Sequence, residues 1–209
     1  YIDDALLDTI ATTDTILPYL DLPLQHINDR LLKRMARKVT RDEIETLLTR
    51  LRDRIPGLAL RTTMITGFPG ETDAEFEQLH QFIKEQAFER LGVFTYSYES
   101  NTPSSQIPDH LPEKVKQQRR DILMQTQRDI MRVGNEQKLR TQLEVILDSS
   151  VPKEHNVWIG RTTADAPEVD SHVYVTGNEI PLKTGNIVTC EIVGIRDYDL
   201  IAVAIGPVC

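Results

Sequence analysis

The segment Ile65–Thr72, ITGFPGET, has residue types that bind ligands in many proteins. A phosphate-binding loop of the GxxxxGK[ST] type needs another glycine spacing and a lysine, and this segment has neither. The plain alternative is a strand-to-helix turn in which Gly70 supplies backbone freedom and Thr72 caps the helix. Ligands of parallel α/β folds lie at the carboxyl ends of the strands. The segment is therefore also a candidate wall of a ligand site.

Polar residues follow two other apolar, β-rich segments at corresponding places. Gln25 and His26 come after the first, and Tyr96, Ser97 and Glu99 end the third. A lone histidine is more often a structural residue held by hydrogen bonds than a ligand. Polar or glycine residues at three strand ends together indicate a site better than any one of them does.

Arg61 stands among apolar residues of the second segment. A buried arginine is costly unless it is paired. Two interpretations remain open at this point. The guanidinium either binds a ligand carboxylate or forms an ion pair within the sheet, for instance with Asp21.

Strands and helices alternate in the first part of the chain, which predicts parallel βα units. A Thr-x-x-Glu capping signature predicts a helix start at Thr40, and Thr72 with Glu75 predicts another. Three units are too few to close a barrel, and residue 1 is not methionine, so we expect further strands before this chain. We predict strands over 17–24, 58–67 and 91–98, helical segments over 28–55 and from 72 onward, and a long helix over 112–133.

The sequence changes character after Gly134, where short β-rich stretches replace the alternation. Their regular spacing predicts a small barrel or sandwich. We place one domain at residues 1–137 and the second at 138–209. The predicted strands of the second domain are 141–148, 156–163, 171–177, 186–195 and 198–205.

The chain of 209 residues has a formal net charge of −8, which argues against broad nucleic-acid affinity. From residue 141 onward there are ten acidic and four basic residues, a net charge of −6. The acidic second domain therefore suits a basic partner better than RNA.

A loop of this domain, Gly160–Val175, places Arg161 among three acids, Asp165, Glu168 and Asp170. The simple interpretation is a loop closed by its own salt bridges. The functional interpretation is a substrate-binding loop that presents carboxylates to a basic protein. Basic residues of the long helix, from Lys114 to Arg132, are interpreted as a solvated helix face.

Cys190 and Cys209 are the two cysteines, and their spacing matches no zinc or cluster motif and no disulfide framework. Cys190 is in phase with apolar neighbours and is predicted to be a core residue. No apolar run is long enough for a membrane span. We therefore expect a cytoplasmic protein without a metal site of its own in this chain.

Three stretches of the chain carry a family resemblance: YLDLPLQHINDRLLKRMARKVTR, LRTTMITGFPGETDAEFEQL and RLGVFTYSYESNTPS. Together they resemble the methylthiotransferases of the radical S-adenosylmethionine (SAM) superfamily. The second domain resembles the TRAM domain of the same enzymes, so the resemblance covers nearly the whole chain. It implies an α/β fold: the C-terminal half of a partial six-unit TIM-like radical SAM barrel, followed by a five-stranded all-β barrel of OB-like type.

The family uses SAM and two 4Fe-4S clusters, and by this resemblance the cluster ligands lie outside the chain. The stretch around Gly67 is similar to a fifth-strand motif, GxIxGxxE, that lies near the adenine of the cofactor. Thr63 replaces the first glycine of that motif and Glu71 comes one residue late, so the contacting atoms stay open. The resemblance and the strand ends together imply these cofactor-binding residues: Gln25, Arg61, Thr63, Ile65, Gly67, Glu71 and Tyr96.

The segment Gly160–Val175 is similar to the branch that methylthiolates an aspartate of the small-subunit ribosomal S-twelve protein. That resemblance implies a basic ribosomal protein, or the small ribosomal subunit, as partner, with direct RNA binding disfavoured. Two alternatives stay open. One is a tRNA adenosine methylthiotransferase, for which a basic TRAM domain is expected, and the other is a non-catalytic substrate-binding fragment.

Overall fold

A computed structural model describes residues 2–177 and 181–208, in two compact units, Tyr1–Ile130 and Met131–Cys209. Tyr1, residues 178–180 and Cys209 lie outside the described residues. The helices are α1 (Asp4–Thr12), α2 (Asp29–Arg34), α3 (Arg41–Arg54), α4 (Asp73–Gln86) and α5 (Glu113–Lys138), with a short 3₁₀ helix at Pro103–Gln106. The strands are β1 (Tyr19–Asp21), β2 (Ala59–Thr66), β3 (Arg90–Thr95), β4 (Gln142–Ser150), β5 (Val157–Arg161), β6 (Val173–Thr176), β7 (Ile187–Arg196) and β8 (Asp199–Val208).

The first unit contains a parallel sheet in the order β1-β2-β3, which confirms the predicted βα units. Burial alternates along β2, as expected when one face of a sheet is covered. Leu60 and Met64 are fully buried in the main core together with residues of the flanking helices, such as Leu48 and Leu79. Arg61, Thr63 and Ile65 therefore point to the opposite face of β2.

Both predicted capping boxes are present. Thr40 caps α3 with Glu43, and Thr72 caps α4 with Glu75, each through reciprocal side-chain and backbone hydrogen bonds. Such caps satisfy N–H groups that have no partner inside the helix. They start these two helices at the predicted residues.

Several predicted boundaries differ from the structure. Helix α1 was not predicted, and α5 continues through Gly134 to Lys138, beyond the predicted end at 133. Strand β1 is shorter than predicted, but Gln25 resumes the pairing through an isolated bridge to Met64. Periodicity alone places the ends of elements poorly, because terminal turns lack a full repeat.

The second unit is a closed five-stranded barrel in the order β4-β5-β6-β8-β7, as the spacing of strands predicted. Its core contains Val145, Val175, Val188, Ile192 and Cys190, all fully buried or nearly so. The prediction that Cys190 is a core residue is confirmed. Burial raises the pKa of its thiol to about 11, so the thiol stays protonated at neutral pH. Within the described residues, no helix is both long and apolar enough to cross a membrane.

Candidate functional site

The candidate site lies on the face of β2 that the helices leave free, toward the carboxyl ends of the strands. Arg61, Thr63 and Ile65 are half-buried on this face. Their register partners on β3 include Gly92 beside Thr63 and Phe94 beside Ile65. The side chain of Phe94 is 60% exposed, and Gly92 adds no side chain. The result is an open, partly apolar strip on a rigid sheet, which suits a ligand better than a loop would.

Gln25 lies at the edge of this strip in an unusual backbone conformation. Its φ of 72° is in the left-handed region, which residues other than glycine seldom adopt. Its backbone N–H donates to the carbonyl of Thr63 at 2.8 Å, and its own carbonyl accepts from the N–H of Ile65 at 2.8 Å. The sheet therefore holds Gln25 in this conformation from both sides. Strained backbone of this kind occurs often at binding sites.

Arg61 makes an ion pair within the sheet. Its Nη1 donates to Oδ2 of Asp21 at 2.7 Å, and the two residues are register partners on neighbouring strands. Of the two interpretations left open by the sequence, the structure shows the pairing with Asp21. The guanidinium still borders the open face, because Arg61 is half-buried and follows the same alternation as Thr63.

Gly67 lies at the end of β2 against a side chain of α5. Its φ is 72°, and a Cβ placed there would lie 2.2 Å from Cγ of Lys116. The ammonium group of Lys116 donates to the carbonyl oxygen of Tyr96 at 2.9 Å. The backbone N–H of Gly67 donates to Oε2 of Glu71 at 3.0 Å. The structure thus explains this glycine by contacts within the chain.

The carboxylate of Glu71 is fully buried in a polar network. Besides the bond from Gly67, it accepts a short hydrogen bond from Nη1 of Arg119. The same guanidinium reaches the exposed Asp73 at 2.5 Å through Nη2. Nε2 of the fully buried His26 lies 3.6 Å from Oε2 of Glu71, while its Nδ1 accepts from the N–H of Asn28 at 3.0 Å. The network ties the loop after β2 to the loop after β1 and to α5.

Lys116 and Arg119 correct the interpretation of the α5 charges as a solvated face. They are 8% and 6% exposed and lie on the buried stripe of the helix. Leu123 and Gln127 continue the same stripe at helical spacing and are also buried. This spacing is visible in the sequence, where charged residues on an apolar stripe are a signal of buried ion pairs.

Tyr96 is part of a small apolar cluster at the same edge of the sheet. It is 8% exposed and packs edge-on against Phe68 with ring centroids 5.3 Å apart, and Leu31 completes the cluster. Its hydroxyl donates to Oγ of Ser104 at 3.0 Å. Ser97 and Glu99, which follow it, are exposed and bond to each other at 3.3 Å.

Arg30 and Glu75 form a further ion pair beside the loop after β2. Nε and Nη2 of Arg30 donate to the two carboxylate oxygens of Glu75 at 2.6 and 2.5 Å. Nη2 also donates to the carbonyl oxygen of Gly70 at 2.7 Å. Burial alone would raise the pKa of Glu75, but the hydrogen bonds from Arg30 and Thr72 lower it to about 2.

The predicted substrate-binding loop of the second unit is held by hydrogen bonds of its own acids. Asp165 is 7% exposed and accepts from the N–H and hydroxyl of Thr162 at 3.2 and 2.6 Å. Asp170 accepts from the N–H of Ala166 at 2.8 Å. Arg161 lies 3.3 Å from the carboxylate of Asp148, outside the loop.

Glu168 is the exposed acid of the predicted set, and its φ is 61°. Of the four predicted substrate-binding residues, it is the one whose carboxylate faces solvent without a bond to the described part of the loop. Across the described residues, no group of three or more His, Cys, Asp or Glu side chains could hold a metal ion.

Each of the two parts of the chain matches the model of a known protein family. Residues 1–83 match the radical SAM superfamily, and residues 141–205 match the TRAM domain. The first part of the chain is therefore similar to the radical SAM superfamily, and the second part is similar to the TRAM domain.

Relatives with curated names are similar to the chain over nearly all of its length. The chain is 44% identical over 200 residues to the ribosomal protein uS12 methylthiotransferase RimO of Anaeromyxobacter sp. (strain K), covering 96% of this chain and 42% of that protein. It is 40% identical over 205 residues to the RimO of Acetivibrio thermocellus, covering 98% of this chain and 45% of that protein. The chain thus spans less than half the length of these relatives.

A solved structure supports the fold. Coproporphyrinogen III oxidase (HemN) from Escherichia coli, described as a radical SAM enzyme, superposes with a TM-score of 0.50 at 16% identity. The match covers 78% of this chain and 42% of that one. At this identity the likeness supports the fold alone, and with the closed five-stranded barrel it confirms the predicted fold class.

Proposed function

We propose that this chain is part of an enzyme that methylthiolates an aspartate of ribosomal protein uS12. The observation that carries the proposal is the identity of 40–44% to proteins named for that activity, over 96–98% of the chain. We place the boundary between the radical SAM part and the TRAM domain at residues 137 and 138, shortly before the TRAM match begins at 141. The proposed location is the cytoplasm.

Similarity to the radical SAM superfamily implies SAM and a 4Fe-4S cluster in general. The residues present fit an adenosyl group on the free face of β2. Thr63 and Ile65 are half-buried there, Phe94 is exposed, and the strained Gln25 borders the strip. With a cluster, SAM supplies the radical chemistry of this superfamily. We propose that the cluster ligands, for two 4Fe-4S clusters, lie outside this chain.

We assign the seven proposed cofactor-site residues two roles. Gln25, Thr63, Ile65 and Arg61 would line the cofactor, since their side chains lie on or beside the open face. The other three would shape the rim from behind, because their polar groups are bound within the chain. These three are Gly67, Glu71 and Tyr96.

For the protein substrate, we propose that the acidic TRAM domain binds a basic surface of uS12 or of the small ribosomal subunit. The domain carries a net charge of −6 from residue 141 onward, and Glu168 is exposed on its loop. Arg161, Asp165 and Asp170 would hold that loop in shape. Charge of this kind raises the association rate and is weakened by salt.

The proposed activity is tested with the full-length protein that contains this chain, with both clusters reconstituted, SAM, a reductant and isolated uS12. Mass spectrometry of the target should show a mass gain of one methylthio group on an aspartate. A target that stays unmodified while tRNA adenosine gains the group would replace the proposal with the tRNA alternative. The acidic TRAM domain favours the protein substrate over tRNA.

The substrate-binding proposal is tested with Glu168→Gln in the 209-residue chain. We expect weaker binding to uS12 and a smaller dependence of that binding on salt. Glu154→Gln is a matched control, because it removes another exposed acid of the same unit. Equal effects of the two substitutions would show that only the total charge matters and would exclude a role for the loop.

A further inference from the structure

The last strand of the second unit is apolar on both of its faces. Residues 200–205 of β8 have the sequence LIAVAI, without a polar side chain. Three of them face inward and belong to the core of the barrel: Leu200, Ala202 and Ala204. The three that alternate with them face outward: Ile201, Val203 and Ile205. A strand with one face in water normally alternates apolar and polar residues, so this run indicates a strand that is covered on both faces.

The neighbouring strands extend this outer face with apolar side chains. On β6, Tyr174 is the register partner of Ile201. On β7, the register shifts between Ile192 and Gly194, so Val193 lies in a bulge. Gly194 pairs with Ile201 and adds no side chain that could cover it. We call the five outward residues the β8 patch: Tyr174, Val193, Ile201, Val203 and Ile205.

The β8 patch is open to solvent. The exposed fraction is 51% for Val193, 36% for Ile201 and 44% for Ile205, while Tyr174 and Val203 are half-buried. Single exposed apolar residues scattered over a surface are ordinary, but these five lie on three adjacent strands and form one contiguous surface. Contiguous apolar surfaces of this kind mark sites of interaction.

Two carboxylates border the β8 patch on the outer face of the barrel. Glu191 of β7 is the register partner of Val203. Glu144 of β4 pairs with Thr189, which lies two residues from Glu191 and therefore on the same face of β7. Within residues 2–177 and 181–208, neither carboxylate has a hydrogen bond or an ion pair. Strands β6, β7 and β8 contain one basic residue, Arg196, at the end of β7.

The chemistry of this face favours a basic protein as its partner. A second copy of the chain would bring a unit with the same net charge of −6 against the carboxylates. Nucleic acid is repelled in the same way, and OB-folds bind oligonucleotides on their second and third strands, whereas the β8 patch centres on the fifth strand of this barrel. A protein segment with apolar side chains flanked by lysine or arginine matches both the apolar centre and the acidic border.

We propose that the β8 patch, with Glu144 and Glu191, is the docking surface for the protein substrate of this enzyme. An apolar segment of the substrate covers the patch, and its flanking basic side chains pair with the two carboxylates. The identity of that substrate as uS12 rests on the proposed function. The patch lies on strands of the barrel and is separate in sequence from the loop that carries Glu168.

The experiment measures binding of isolated uS12 to the 209-residue chain by isothermal titration calorimetry, without SAM or clusters. Ile201→Thr with Ile205→Thr should weaken binding by about tenfold, because residues at the centre of an interface carry most of the affinity. Threonine suits a β-strand, and the dependence on salt should not change, since no charge is removed. The matched control Ile16→Thr with Ile122→Thr alters two isoleucines of the first unit that are 39% and 44% exposed, and it should bind uS12 like the wild type.

Glu144→Gln with Glu191→Gln should weaken binding by about threefold and make it less dependent on salt, because charge pairs with the substrate are lost. The control Asp14→Asn with Glu154→Gln removes two exposed acids elsewhere in the chain and should change the affinity less. Circular dichroism and thermal unfolding establish that each variant is folded. Ile201→Val with Ile205→Val keeps the surface apolar and should retain binding.

The docking surface is overturned if the wild-type chain does not bind uS12, or if the threonine pair on β8 binds as tightly as the wild type. Control variants or a valine pair that lose as much affinity as the threonine pair would also overturn it. Analytical ultracentrifugation that finds a dimeric wild-type chain and a monomeric threonine pair would assign the face to a second copy instead.

Binding and methylthiolation are measured separately, so the two proposals can fail independently. If the full-length protein modifies uS12 while substitutions in the β8 patch leave binding unchanged, the docking surface alone is wrong. If uS12 binds through the patch but gains no methylthio group, the proposed activity alone is wrong.

Discussion

At the scale of single residues, many charged side chains of the candidate site form hydrogen bonds and ion pairs with other residues of the chain. Glu71 is bound by Gly67 and Arg119, and Glu75 by Arg30 and Thr72. Buried charges of this kind are tolerated because each has partners. When one partner is removed, the remaining buried charge lowers the free energy of unfolding.

Replacement of Arg119 by Ala should lower the free energy of unfolding by about 3–5 kcal/mol, because the buried carboxylate of Glu71 is then left without its cation. Urea denaturation followed by circular dichroism measures the change. Arg120→Ala is the matched control, since its neighbour pair with Asp121 is exposed to solvent. The control should change stability by less than about 0.5 kcal/mol. Equal effects would contradict the importance of the buried network.

The lowered pKa of Glu75 predicts that the stability of the chain decreases at acid pH. Its folded pKa of about 2 lies below the ordinary value of 4.5, so its contribution is present above pH 4.5 and is lost as the pH falls toward 2. Glu75→Gln should cost about 2 kcal/mol at neutral pH, after allowance for the half-exposed Arg30. Urea titrations between pH 2 and 7 should converge for the variant and wild type at the acid end. A gap that stays constant over this range would show that the carboxylate charge is not responsible.

At the scale of elements, the strand-to-helix turn after β2 depends on packing against α5. Thr66 donates its hydroxyl to the carbonyl of Lys116 at 3.2 Å, and the stem of Lys116 fills the space beside Gly67. The turn after β2 and helix α5 are therefore packed together within the first unit. Gly67 leaves the space that the side chain of Lys116 fills, whereas Gly134 in α5 has open space around it.

Gly67→Ala should destabilise the chain by about 2 kcal/mol or more, because it combines a left-handed backbone with a clash against Lys116. Gly134→Ala should instead stabilise it by about 0.5–1 kcal/mol, since Gly134 lies inside α5 and a Cβ there meets nothing within 4 Å. Thermal unfolding of both variants measures whether each substitution lowers or raises the stability of the chain. A neutral result at Gly67 would mean that Lys116 can move away without cost.

The sequence predicted the local features of these elements well. The Thr72–Glu75 capping box and the parallel order of the strands follow from residues close together in the chain or from simple alternation. The bond between Arg119 and Glu71 joins residues 48 positions apart, and no local pattern predicts it. Likewise, the use of Asp165 within its own turn became visible only with the backbone in place.

At the scale of the whole molecule, the chain combines a radical SAM part with an acidic TRAM domain, and spans less than half the length of its curated relatives. Its two cysteines, Cys190 and Cys209, cannot supply a three-cysteine cluster motif. This agrees with the proposal that the cluster ligands of the enzyme lie outside these 209 residues.

The 209-residue chain, treated alone with iron and sulfide, should show no stable visible absorbance of an iron–sulfur cluster and no methylthiolation of uS12. Absorbance and electron paramagnetic resonance spectra after desalting measure the first outcome. The full-length protein carrying the same chain is the positive control. A stable cluster on the isolated chain would contradict the proposal that all cluster ligands lie elsewhere.

The sequence by itself determined the class of the protein, the βα units, two helix starts and the five-stranded second domain. These depend on periodicity, capping and turn residues, which act over a few neighbours. The tertiary structure decided the partners of Arg61, Glu71 and Lys116, and it gave the loop acids their structural role. Those contacts require distant segments to meet, and only the packed fold sets which polar groups remain free for a ligand.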